Sequence, residues 1–87
     1  MHERALMRDV IARLEDVVGA EGATRVTRVA VRLGALSHFT AEHFREHFEG
    51  ASRGTVAEGA LVHAVVEDDP TDSRARDVVV ESVEVEL

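Results

Sequence analysis

Cysteine is absent from the 87 residues, so neither a disulfide framework nor a thiolate metal site can form. Trp and Tyr are also missing, and three Phe supply all the aromatic bulk. The core must therefore be built from Val, Leu and Ala, a modest core for a chain near the lower size limit of one self-sufficient domain, and a reason to dimerise. No apolar run approaches the roughly 20 residues needed to cross a bilayer. Charges throughout residues 1–20 are incompatible with a signal peptide, which gives the cytoplasm as the expected location. Lys, Asn and Gln are missing too, and all ten basic residues are Arg; that bias carries no functional content. The acids are unevenly placed. Residues 1–57 hold eight Arg against eight acids, whereas residues 58–87 hold two Arg against nine, so the net charge of −7 sits in the last third. Nucleic acids and anionic membranes are recognised through basic patches, so the balance argues against both as partners.

What is present reads as α-β-α-β-β. Leu6, Val10, Leu14 and Val17 recur at helical spacing, widened by Met7, Ile11 and Val18, and predict an amphipathic helix over about residues 4–18, ended by Gly19 and Gly22. Val26 to Leu33 alternates as a half-buried strand with Val29, Val31 and Leu33 on one face. Thr40 is the N-cap expected for a second helix. Phe39 before it is spaced to pack on Phe44 as a hydrophobic staple, and Phe44, Phe48 and Ala51 continue the inner stripe. Ala60 to Glu67 and Val78 to Leu87 are the remaining strands, separated by a polar turn beginning Asp68-Asp69-Pro70. The expected fold is α+β, two helices packed on one face of a three-stranded sheet, in one domain spanning residues 1–87.

Catalytic constellations are lacking. There is no Cys nucleophile and no glycine-rich phosphate loop, and Ser37, Ser52, Ser73 and Ser82 stand in no motif; an enzyme is not expected. Metal donors are better represented. Met1-His2-Glu3 sets an imidazole, an α-amine and two backbone amides within chelating reach. Such a planar, all-nitrogen set suits Ni²⁺ or Cu²⁺ better than tetrahedral Zn²⁺. His2 is bulky, so Met1 should escape trimming. His38 lies in the connection between the first strand and the second helix and is a further candidate ligand. His43 and His47 share a helix face at i, i+4, but His43-Phe44-Arg45-Glu46-His47 is not the H-E-x-x-H of a zinc protease. The pair reads as a surface feature with adventitious metal affinity, and His63 as structural or exposed.

Several segments, in this order, resemble the HypA family of nickel-incorporation proteins, which help mature [NiFe] hydrogenases. They are Met1-His2-Glu3 running into a helix, Arg25-Val26-Thr27-Arg28-Val29 leading to Leu33-Gly34-Ala35-Leu36-Ser37, the Phe-bearing second helix, Gly54-Thr55-Val56-Ala57-Glu58-Gly59-Ala60, and Val80-Glu81-Ser82-Val83-Glu84-Val85. The resemblance implies a metallochaperone whose Ni²⁺ donors are the Met1 amine, the His2 imidazole and the backbone nitrogens of His2 and Glu3. It also implies a hydrogenase large-subunit precursor and a nickel-handling GTPase as partners, with urease served by some members. Family members carry a zinc module with two C-x-x-C pairs between their last two long strands. Here Asp68 to Arg76 takes that place, so no zinc is expected. Ala35 and Thr40 depart from the polar and acidic residues often found there, and a lost supporting carboxylate would leave His2 less well oriented. The alternative is a metal-free interaction module derived from the same fold, docking through its acidic last strand or a free sheet edge.

Overall fold

In a computed structural model describing residues 3–87, the elements follow as α1 (Glu3–Glu21), β1 (Arg25–Leu33), α2 (Ala41–Ser52), β2 (Leu61–Val66) and β3 (Val78–Glu86). This is the expected α+β order. The sheet is mixed, with strand order β2-β1-β3: β1 is central, parallel to β2 and antiparallel to β3. Parallel neighbours need a crossover of about a dozen residues or more, and α2 with its flanking loops supplies it.

α1 buries Met7, Val10, Ile11, Leu14 and Val18, so its inward face is centred slightly off the predicted stripe, and Leu6 and Val17 sit at the margin. The helix also runs past Gly19. Its end is set by Gly22, whose φ of 62° is the left-handed conformation a glycine adopts without strain. Gly22 N–H donates to Gly19 C=O at 3.3 Å and Ala23 N–H to Val18 C=O at 2.9 Å, the paired bonds of a Schellman motif.

In β1 the side chains of Val26, Val29, Val31 and Leu33 are all buried. Strict alternation would place Val26 opposite Val29. The irregular register between Val26 and Arg28, which pair with Val85 and Glu84, inserts one extra residue on β1 and turns Val26 inward. α2 begins as its local signals predict. Thr40 is extended (φ −89°, ψ 163°) and its hydroxyl accepts the His43 N–H at 3.0 Å. The Phe39 and Phe44 rings meet edge to face with centroids 5.6 Å apart. Farther along, the inner stripe is Phe44, Phe48 and Ser52 rather than Ala51, which is exposed. Ser52 enters the core because its hydroxyl donates to the Glu49 C=O at 3.1 Å and needs no outside partner.

β2 turns Val62 and Ala64 toward the core. Val66, which simple alternation from Val62 and Ala64 would put on that face, is exposed together with Leu61 and Val65, because β2 is an edge strand and Val66 ends it. The segment joining β2 to β3 is more than a solvated turn. Ala75 is buried, and its C=O accepts the Leu36 N–H at 2.7 Å while Asp77 C=O accepts Gly34 N–H at 2.9 Å. The approach is so close that a Cβ on Gly34 would lie 2.1 Å from the Ala75 oxygen.

Candidate metal centre

α1 starts at Glu3, and the Glu3 carboxylate reaches across to α2. One oxygen, Oε1, lies 3.3 Å from Nε2 of His43, and the other, Oε2, lies 3.1 Å from Nε2 of His47. The helical i, i+4 spacing explains why both imidazoles meet one carboxylate. Their ring centroids are 4.6 Å apart and the planes tilt by 69°. His43 is held from two sides: its N–H is bonded by the Thr40 cap, and its ring lies 5.2 Å from that of Phe39. The ligand atoms of Glu3, His43 and His47 all fall within 4.8 Å of one another, the group of metal-competent side chains found among the described residues. The three side chains are 37–43% exposed, so water reaches the cluster. An open cleft of about 880 Å³ runs from it between the helices, floored by Met7 and Ile11.

The other candidates are distributed differently. Met1 and His2 lie outside the described residues, so of the expected chelate only Glu3 is placed. His38 has a φ of 68°, is exposed, and is not one of the three converging ligands. His63 is exposed on β2. The participation of the Glu3 side chain had no signal in the sequence, because forty positions separate it from His43 and only the packing of α1 on α2 brings them together.

The same architecture is found in the solution structure of the Ni metallochaperone HypA from Helicobacter pylori, with a TM-score of 0.81, 20% identity, and 99% of this chain and 98% of that chain covered. A second solution structure of a HypA protein matches with a TM-score of 0.76 at 18% identity over 98% and 96% of the two chains. At these identities the likeness defines the fold alone, a small α+β domain. Sequence carries the assignment further. The family profile described as "Hydrogenase/urease nickel incorporation, metallochaperone, hypA" matches residues 1–85, and the chain belongs to the HypA family. The hydrogenase maturation factor HypA of Methylocella silvestris is 43% identical over 60 residues, covering 69% of this chain and 53% of that protein. HypA 1 of Bradyrhizobium diazoefficiens is 40% identical over 65 residues, covering 75% and 58%. The chain thus spans between half and three fifths of the length of these two relatives.

Proposed function

We propose that this chain is a single nickel-binding domain, a maturation factor that takes up Ni²⁺ at Met1-His2-Glu3 and hands it to a hydrogenase large-subunit precursor in the cytoplasm, together with a nickel-handling GTPase. Urease is the alternative recipient. The nickel ion is cargo, and the chain's part is to bind it reversibly, not to catalyse a reaction.

What supports this reading, beside the family profile, is the place of Glu3 in the first described turn of α1. The first four N–H groups of a helix have no intrahelical acceptor, so the Glu3 backbone nitrogen can lose its proton to a metal without breaking a helical hydrogen bond. Electrostatics agree. Two deprotonated amides neutralise the dication, and the complex then sets no net positive charge against the positive end of the helix dipole. Binding releases protons, so affinity rises with pH. Ligand affinity alone would favour Cu²⁺ over Ni²⁺, which leaves nickel selectivity to geometry and supply.

The test is a Ni²⁺ titration of untagged protein beginning at Met1, with His2→Ala and a form carrying one added residue before Met1 as comparisons. A square-planar absorption band in the parent that disappears from both variants is the expected result. Equal Ni²⁺ binding by all three would overturn the proposal. Such binding would point to the His43/His47 pair or to adventitious sites, whereas no binding by any of the three would favour the second reading, a metal-free docking module, for which the observation is the apolar edge of β2, where Leu61 is 70% exposed.

A further inference from the structure

We infer that Glu3, His43 and His47 form a second, exchangeable divalent-cation site, separate from the terminal chelate. Taken alone, the two histidines are an ordinary surface pair. The Glu3 carboxylate, delivered from another helix, changes their chemistry. Two imidazoles and one carboxylate form an N₂O set of the kind that suits borderline first-row cations.

The spacing fits. Four ligands around a metal at bonds of about 2.0–2.1 Å stand roughly 3.3 Å apart at the edges of the tetrahedron. The two carboxylate–imidazole separations are 3.3 and 3.1 Å, and no pair of ligand atoms in the set exceeds 4.8 Å. The two shorter separations run to different carboxylate oxygens, so a cation needs Glu3 to turn about its soft terminal torsion and the imidazoles to close by side-chain adjustment. With a cation bound, the imidazole nitrogens that face the carboxylate give up their protons, and the carboxylate turns from hydrogen-bond acceptor to ligand. Three protein ligands leave a fourth position for water, the arrangement of open rather than structural sites, and the partial exposure of all three side chains keeps exchange with solvent fast.

The backbone is prepared for this. The Thr40 cap and the Phe39 ring hold the first turn of α2, and so His43, in place. Glu3 belongs to both centres, through its main-chain nitrogen in one and its carboxylate in the other. The two sites are therefore neighbours on one residue, and they are separable by mutation.

The experiment uses the full chain with one residue added before Met1, which removes the terminal chelate and leaves the second site untouched. Zn²⁺ binding is followed by calorimetry and Co²⁺ binding by its visible d–d absorption. One cation per chain is expected. His47→Gln and Glu3→Gln should each weaken binding at least about tenfold, as loss of a direct ligand costs no less than the 10–100-fold seen for supporting groups. Far-UV circular dichroism checks folding, and Glu3→Gln, a near-isosteric change at the helix start, stays informative if His47→Gln unfolds the chain. Absence of Zn²⁺ binding in the blocked parent would overturn the inference, as would binding unchanged by both substitutions. With the authentic terminus restored, His43→Gln/His47→Gln should keep the square-planar Ni²⁺ band, so failure of one site is distinguishable from failure of the other.

Discussion

Gly34 is the residue whose replacement should damage the fold most for the smallest chemical change. A Cβ built on it meets the Ala75 oxygen at 2.1 Å, the Ala75 carbonyl carbon at 2.4 Å and the Arg74 oxygen at 2.6 Å. All three are backbone atoms, so no rotamer change relieves the contact. Reaching even 3.0 Å from the Ala75 oxygen requires the segment to move by about 0.9 Å. That movement pulls on the Leu36–Ala75 and Gly34–Asp77 hydrogen bonds, at 2.7 and 2.9 Å, each worth about 1 kcal/mol and more where a buried group is stranded. It also opens the buried Ala75 to water. Gly34→Ala should therefore destabilise by about 2–4 kcal/mol, against a total of about 4–13 kcal/mol for a domain of this length. Gly19→Ala is the internal control: nothing lies within 4 Å of its added Cβ, and it should stabilise α1 by about 0.5–1 kcal/mol. With no Trp or Tyr to report, urea unfolding is followed by far-UV circular dichroism, and the midpoints of the two variants should move in opposite directions with little change in slope. A Gly34→Ala midpoint within about 0.5 kcal/mol of the parent would refute the close approach as a constraint.

Two smaller perturbations test the local claims. Thr40→Ala removes the oxygen that accepts the His43 N–H and should cost about 1 kcal/mol in the same unfolding assay. Because that cap also positions His43, Thr40→Ala should weaken Zn²⁺ at the second site, whereas Thr40→Ser should retain both properties. The Asp69 carboxyl is held below its ordinary value of 3.8, first by the Thr71 hydroxyl and then by the Thr71 N–H, at 2.6 and 2.9 Å. A carboxyl depressed in the folded state contributes stability above its unfolded value and loses it as pH falls through the folded one. An NMR titration should therefore place Asp69 below ordinary aspartates, and Thr71→Val should move it upward.

Features that depend on neighbours in the chain were legible in the sequence. Thr40, Phe39 and Phe44 lie within five positions of one another, and their cap and ring contact form as the pattern predicts. The choice between Gly19 and Gly22 as the end of α1 was not legible, since only the three-dimensional path of the following turn decides which glycine must take a positive φ. Nor was the strand order. Parallel pairing of β1 with β2 and antiparallel pairing with β3 are set by tertiary packing, which local spacing does not encode. Ala75 shows the same limit, for a small residue in a polar stretch becomes buried through contact with Gly34 some forty positions earlier. At the metal centre, the His43/His47 pair was visible as a spacing. The carboxylate that turns it into a ligand set belongs to the neighbouring helix, forty positions earlier in the chain.

The central position of β1 has a consequence for synthesis. One edge of β1 is covered by β3, and its pairing runs from Leu33 with Val78 to Arg25 with Glu86. Between the last residue of β1 and the last paired residue of β3 the ribosome must add 53 residues. At about 5–20 residues per second this takes roughly 3–11 s. For that interval the most deeply buried strand of the protein has an open hydrogen-bonding edge, and the helices rest on a sheet that is not yet closed. Protection of the newborn chain against self-association thus falls to whatever meets it at the ribosome, and truncations within β3 should be far more prone to aggregate than changes on the outer face of α1.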